Sequence, residues 1–317
     1  MSGVKGINMA SNKFRIEGIY DDASYWERVK RSEVFLGLDR DHMRKSQEKI
    51  AGATVGIAGL GGVGGSVAML LARLGVLHLK IADPDAFDTS NINRQLGATP
   101  GTIGQRKAST IAQLIHETTP DVTLDVYPDG LTTTNAEDFV ADCDLLIDCI
   151  DFYTIEERYA LHKAFRASPI CKGCLSSKMV GYGANLYMFI KDGLTLEDFY
   201  GIEPGTEMTP ALVDKLVRLQ AAFLPRFPSL EVAYDWMQET GTAPMIATTP
   251  PLTHYLVGSR AALMLAELDQ PPYCDALPPM PNYLWVDATR GQCGIYEFNG
   301  AFANPEEHAQ YFGKVSD

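Results

Sequence analysis

The chain has 317 residues, room for two small domains or one large α/β domain at about 100–200 residues per domain. Apolar residues make up 46% and charged residues 21%, which excludes wholesale disorder because a core of this composition can be buried. Its 27 Lys and Arg against 40 Asp and Glu leave a net charge of −13, which argues against a broad basic nucleic-acid face while leaving a local basic groove open. No apolar run approaches the ~20 residues of a bilayer span. The first ten residues lack an apolar signal core. Six cysteines stand scattered at 143, 149, 171, 174, 274 and 293, a pattern that suits reduced thiols. The expectation is a cytoplasmic protein without a membrane partner.

In chain order, the first dozen residues read as a loose terminus. Residues 23–49 are strongly charged, with apolar residues too sparse for a core of their own. They read as one or two surface helices of an N-terminal arm over residues 1–50, either a solvated face or an arm reaching a partner subunit. Residues 51–317 form the main body. Residues 54–59 are a β-rich apolar strand, followed at once by a glycine cluster and by a helix over 66–74, with Val67, Leu70, Leu71 and Leu74 at helical spacing. A second strand over 77–82 ends at Asp83. Ala108, Ile111, Ala112 and Ile115 stripe another helix, 122–127 alternates as a strand, 144–150 reads as a buried parallel strand, and 154–167 is a helix. This alternation predicts a Rossmann-like, doubly wound, mostly parallel α/β sheet. A strand over 184–190 begins an antiparallel extension. A long irregular crossover segment, 191–249, holds one helix lined by Leu212, Leu216, Leu219 and Phe223. A last helix covers 253–268, with Pro250 and Pro251 near its start, and strands over 283–287 and 293–298 close the fold.

Gly59, Gly61 and Gly64, with Gly62 among them, spell G-x-G-x-x-G after a strand and before a helix. Glycines there allow a tight turn and let a phosphate reach the backbone, and the helix N-terminus supplies free N–H groups and a favourable dipole. Asp83 closes the next strand, where a carboxylate can accept from ribose hydroxyls. The same loop would also serve a turn needed only for helix–sheet packing. On this evidence alone an NAD-dependent dehydrogenase leads.

The run Asp83-Pro84-Asp85-Ala86-Phe87-Asp88-Thr89-Ser90-Asn91-Ile92-Asn93-Arg94-Gln95 changes that. It resembles the D-x-D-x-[VF]-x-x-S-N-x-x-R-Q signature of the E1-like activating enzymes, the ThiF/MoeB/HesA family. Gly104-Gln105-Arg106-Lys107 is similar to that family's G-x-x-K, Cys149-Ile150-Asp151 to its C-x-D, Arg28-Val29-Lys30-Arg31 to the R-x-x-R of its N-terminal arm, and Gln47-Glu48-Lys49 to its entry into the first strand. The likeness covers roughly residues 25–190 and is weaker beyond.

The resemblance implies adenylation of a carboxylate by ATP with Mg²⁺. Gly59, Gly61, Gly62, Gly64, Asp83, Asp85, Asn91, Arg94, Gln95 and Lys107 would bind the nucleotide. Catalysis would rest on Arg31, Arg94, Lys107 and Asp151, with Asp151 as the metal ligand. The chemistry agrees. Arg94 offers a planar fork for phosphate oxygens, Lys107 a compact charge at a helix start, and Asn91 a neutral donor. Asp151, at a strand's carboxyl end, stands where such sheets bind ligands. Singly, Arg94 and Lys107 could be surface cations and Asp151 a helix cap; the constellation carries the inference. The resemblance also implies a homodimer in which Arg31 reaches the partner's ATP phosphates in trans.

The chain departs from the family in three ways. Only one C-x-x-C occurs, Cys171-Lys172-Gly173-Cys174, and it falls where the family has a strand, so no zinc is expected. No cysteine lies between Leu175 and Tyr273, so no enzyme thioester is expected. Phe152 follows Asp151 where the family often has Asn. The leading expectation is an adenylyltransferase acting on a peptide or ubiquitin-like small protein. The alternatives are a cyclic threonylcarbamoyl-tRNA dehydratase and a non-catalytic E1-like scaffold.

Overall fold

Thr54-Val55-Gly56-Ile57-Ala58 is buried at every position, as a strand covered on both faces must be. In a computed structural model, which describes residues 13–213, 216 and 230–297, this strand lies inside a sheet of nine. The strands are β1 (Phe14–Ile16), β2 (Thr54–Ala58), β3 (His78–Ala82), β4 (Thr123–Tyr127), β5 (Leu145–Asp148), β6 (Cys174–Val180), β7 (Gly183–Phe189), β8 (Asn282–Asp287) and β9 (Gln292–Glu297). Their order is β1-β4-β3-β2-β5-β6-β7-β8-β9. From β4 to β6 every pairing is parallel; β6 to β9 form an antiparallel extension, and β1 closes the other edge antiparallel to β4. The chain therefore reverses direction across the sheet between β2 and β5, and their carboxyl ends make the crevice in which such sheets bind ligands.

Side chains alternate between the two faces, so adjacent residues feed two cores. Ile57, Leu145 and Ile147 point to one core, with Val67 and Leu71 of α3 (Gly64–Leu74), Ile111 and Ile115 of α4 (Lys107–Thr118) and Val257 and Ala261 of a long C-terminal helix. Ala58 and Leu146 point to the other, with Phe139 of α5 (Ala136–Val140), Tyr159 and Phe165 of α6 (Ile155–Ala167) and Phe199 of α7 (Leu196–Tyr200). This second core carries the aromatic residues of the extension, Tyr187, Tyr283 and Trp285.

The crossover segment is more regular than its prolines suggest. Besides α7 it contains α8 (Leu230–Thr240). α7 escapes a periodicity search because it has five residues; Thr195 caps it by accepting from the Asp198 N–H, and Gly201 at φ 60 ends it. Leu212 and Leu216 pack with the second core. Leu219, Phe223 and Phe298, assigned above to a helix and a strand, lie outside the described residues. The last helix, α9 (Thr249–Leu265), starts four residues before the expected point because Pro250 and Pro251 occupy its first turn, where a missing N–H costs nothing. The short β1 and α5 have too few residues to show a period. Among the described residues no helix is long and apolar enough to cross a membrane.

The charged N-terminal segment forms α1 (Asp22–Val29), a 3₁₀ turn (Lys30–Phe35) that buries no residue, and α2 (Arg40–Gly52); the two helices pack on their own chain. Tyr25 is buried; its hydroxyl donates to the Gly75 carbonyl at 3.0 Å and accepts from Gln47 Nε2 at 2.8 Å. Gly75 ends α3 at φ 111, and a Cβ there would lie 2.6 Å from the Tyr25 hydroxyl, so the junction demands glycine. Arg28 donates to the Ala72 carbonyl at 2.8 Å and pairs with Asp121, placing a cation at the negative end of α3. Arg28→Ala removes these charge-assisted bonds and is expected to cost about 2 kcal/mol, seen as a lower urea midpoint with an unchanged far-ultraviolet spectrum. An unchanged midpoint would show that Arg28 does not anchor α1.

Candidate active site

The turn after β2 is built from three glycines with different reasons to be glycine. Gly59 has φ +87, and a Cβ on it would stand 2.3 Å from the Cys149 carbonyl oxygen, just past the end of β5. A Cβ on Gly64 would stand 1.8 Å from the Gly59 carbonyl oxygen. Both are required by packing. Gly61 is not: the nearest atom to a Cβ there is Gln95 Nε2 at 3.8 Å. The space over Gly61 is open, and no side chain caps α3; the Gly65 N–H is taken by the Gly61 carbonyl at 3.3 Å, so only part of the first turn is left for a ligand. Gln95 is buried beside it with its Oε1 unpartnered among the described residues, a cost that a ligand donor would remove.

Asp83 lies beneath this turn. One carboxylate oxygen accepts from the Leu60 N–H at 2.6 Å and the other from the Asp85 N–H at 2.8 Å. Burial raises its pKa, against the opposing pull of Lys107 and the two N–H groups. Lys107, the first residue of α4, is buried, and its Nζ holds the exposed Asp85 carboxylate at 2.8 Å. Asp88 and Asn91 form a reciprocal cap on a 3₁₀ turn (Thr89–Asn93), which buries Asn91 and turns the chain toward Arg94. Arg94 donates to the Ser90 carbonyl and to Asn93 Oδ1, each at 3.0 Å. Partial burial lowers its pKa, opposed by the negative charges of Asp88 and Asp151. Asn93 in turn donates to the Met245 carbonyl at 3.3 Å, tying this turn to the end of the crossover segment.

Asp151 is exposed three residues past β5 and accepts from the Tyr153 hydroxyl at 2.9 Å. One hard carboxylate suits Mg²⁺, which is usually held by one or two carboxylates plus substrate phosphates. The glycine turn, Asp83, Asp85, Asn91, Arg94, Gln95, Lys107 and Asp151 thus gather at the carboxyl ends of β2, β3 and β5. Arg31 does not join them: it is exposed in the 3₁₀ turn after α1 and makes no hydrogen bond or ion pair among the described residues.

A family model described as the ThiF family matches residues 37–295. The chain belongs to the ThiF family. The adenylyltransferase and sulfurtransferase UBA4 of Candida albicans is 35% identical over 107 residues, 34% of this chain and 24% of that protein. The sulfur carrier protein ThiS adenylyltransferase of Escherichia coli is 31% identical over 160 residues, 47% of this chain and 62% of that protein. The chain thus spans from a quarter to under two thirds of these relatives' lengths. E. coli MccB, solved with MccA-N7isoASN, superposes with a TM-score of 0.63 at 13% identity over 86% of this chain and 71% of that one, a likeness of fold.

In this ThiF-family chain, sequence reasoning missed a buried group behind Asp151. Asp148 accepts from Arg158 Nε at 2.9 Å and Nη2 at 2.5 Å, with His162 Nε2 at 3.1 Å. Burial alone would raise the Asp148 pKa; Arg158 and His162 outweigh it and hold the carboxyl well below the usual range. Burial likewise lowers the His162 pKa, opposed by Asp148. The available signal was Asp148 at a strand end; its partners on α6 carry no fixed spacing from it. Tyr153, two residues after Asp151, was missed as well. The C-x-x-C thiols are both buried: Cys171 Sγ donates to the Gly173 carbonyl at 3.5 Å, and Cys174 Sγ lies 3.8 Å from His162 Nε2. Burial pushes the Cys171 thiol up to about 11 and holds the Cys174 thiol well above its usual value. Among the described residues no group of three His, Cys, Asp or Glu could hold a metal.

The glycines separate folding from ligand binding. Gly61→Ala is expected to leave the melting temperature nearly unchanged while weakening nucleotide binding about tenfold or more, since the nearest protein atom to its Cβ, Gln95 Nε2, is at ordinary contact distance. Gly64→Ala is expected to destabilise the protein by several kcal/mol through its clash with Gly59. Equal effects on the melting temperature would remove this distinction.

Proposed function

We propose that this protein is an ATP- and Mg²⁺-dependent adenylyltransferase that activates a carboxylate for attack by a second nucleophile, without an enzyme thioester or a zinc site. The observation that carries the reading is the open space over Gly61 at the carboxyl ends of parallel strands, with Lys107, Arg94 and Asp151 on the segments that follow β3 and β5. A dinucleotide would use the turn and Asp83 but would leave Arg94, Lys107 and Asp151 without a role.

In this reading the Gly61 backbone and the first turn of α3 bind phosphate oxygens, and Asp83 accepts from the ribose. Asp85 is exposed and can swing aside, so that an α-phosphate oxygen takes its place on Lys107. The substrate carboxylate attacks the α-phosphorus and pyrophosphate departs, with Arg94 and Asn91 placed to stabilise the leaving charge. Mg²⁺, held by Asp151, would neutralise phosphate charge. The substrate class is a peptide or small-protein carboxyl terminus. Its support is the family relative that adenylylates a sulfur carrier protein and the shared fold of MccB, solved with MccA-N7isoASN.

The reading includes a homodimer. Beside the exposed Arg31, Val34, Phe35 and Leu38 are 64%, 79% and 72% exposed, a cluster of large apolar side chains that water disfavours. A second copy packed on this face would cover it and carry Arg31 toward the partner's phosphates, completing two equivalent sites.

Two measurements test this. Saturating Mg-ATP should raise the melting temperature by several degrees, as a ligand at 100 times its Kd adds about 2.7 kcal/mol, and NAD should not; a gain with NAD alone would overturn the reading. Light scattering should give twice the chain mass for the wild type and a single chain mass for Phe35→Asp. A wild-type monomer at micromolar concentration would remove the shared site.

A further inference from the structure

The strongest unassigned feature is a continuous polar chain that runs from the Asp151 loop to the start of the crossover segment through the second core. Asp148 Oδ1 accepts the Ile150 N–H at 3.2 Å, which fixes the backbone one residue before Asp151. Asp148 Oδ2 holds Arg158, whose Nη1 donates to the hydroxyl of Tyr200, the last residue of α7. Arg158 Nη2 also donates to Ser176 Oγ at 3.2 Å, so β5, β6, α6 and α7 meet on one guanidinium. Arg158 is 3% exposed and Asp148 1%.

The same helix joins the two regions along its length. Its entry is continuous with the Asp151 loop: the Thr154 N–H bonds the Asp151 carbonyl at 3.0 Å, and the Arg158 N–H bonds the Thr154 carbonyl at 3.3 Å. Its side chains then grip residues 196–205. Glu156 accepts from the Gly205 N–H at 2.9 Å, the Tyr159 hydroxyl donates to the Ile202 carbonyl at 2.7 Å, and Arg166 pairs with Glu197 at 3.0 Å.

Stability is a poor reason for such a pair. Desolvating a carboxylate and a guanidinium offsets most of their attraction, and an apolar replacement of similar size is often neutral or better. What the pair supplies and an apolar contact does not is direction, because a planar fork holds its acceptors at fixed angles.

We propose that Arg158 and Tyr200 are positioning residues that couple the order of the crossover segment to the placement of the Asp151 carboxylate. A substrate held by the segment is thereby read out at the metal position, and a cation bound at Asp151 tightens the segment in return. The inference rests on the adenylyltransferase reading for the role of Asp151; the coupling itself is a property of α6.

Hydrogen exchange on the full chain, with ATP alone and with Mg-ATP, tests it. In the wild type Mg-ATP should slow exchange in both 149–154 and 196–205, and ATP without Mg²⁺ should slow neither stretch as much. Tyr200→Phe keeps the ring in the second core and leaves the Asp148–Arg158 pair intact. It should retain wild-type ATP affinity and the protection of 149–154, yet lose about tenfold of the Mg-dependent protection of 196–205, the size expected for one hydrogen bond to a charged group. Asp151→Asn should lose the Mg-dependent part at both stretches. A merely structural Tyr200 would lower protection of 196–205 equally with and without Mg²⁺, and that result overturns the proposal. Full Mg-dependent protection of 196–205 in Tyr200→Phe overturns it as well. Failure of the wild type to bind ATP would instead remove the adenylyltransferase reading and this inference with it, an outcome distinct from intact ATP binding without coupling.

Discussion

The site depends on one close approach, the glycine turn after β2 pressed against the end of β5. Gly59 lies so near the Cys149 carbonyl, and Gly64 so near Gly59, that neither position has room for a Cβ. This contact lets α3 start directly over the crevice and brings the Asp151 loop beside the turn. It also frees Gly61 to be bare on the side where a phosphate would lie. A single methyl at Gly59 or Gly64 would separate the two strand ends, and every distance in the site would change with them.

Charge is arranged around that contact against the grain of the whole molecule. The chain carries −13, yet Lys107 and Arg94 face the crevice. Lys107 is held by the exposed Asp85, and Arg94 by the Ser90 carbonyl and Asn93 Oδ1, with the charges of Asp88 and Asp151 favouring its charged form. An exposed carboxylate costs little to displace, so Asp85 keeps Lys107 in position without locking it there. The acid that stays buried, Asp83, acts differently. Its two oxygens accept the Leu60 and Asp85 N–H groups and lock the turn to the next strand.

The alternation of side chains across β5 divides its work between two faces. One face packs on α3, α4 and α9 and supports the crevice. The other meets α6 and α7, where Asp148, Arg158 and Tyr200 link the end of the strand to the segment that would select a substrate. A doubly wound sheet offers this arrangement because its strand ends are reached from both layers. The crossover segment uses it: α7 is fastened by α6, and Asn93 reaches the Met245 carbonyl at the segment's far end.

The sequence by itself determined most of the parallel centre of the sheet and most of its antiparallel extension, though not β1 or β6, because period-two and period-3.6 patterns are local and the glycine turn has a fixed spelling. Gly59-x-Gly61 and the run from Asp83 to Gln95 were legible for the same reason: their residues are neighbours in the chain. Three things were decided only by tertiary structure. The prolines of the crossover hid α8 and the true start of α9, because a proline breaks a helix in its interior and is neutral in its first turn. The arm's polarity left open what it docks on, until Tyr25 and Arg28 met the end of α3, about fifty residues away. The Asp148–Arg158–Tyr200 chain joins three elements through side chains, and no local period records which buried acid meets which buried base. Pairings of that kind follow from packing, where the cost of burying a charge selects the one partner within reach.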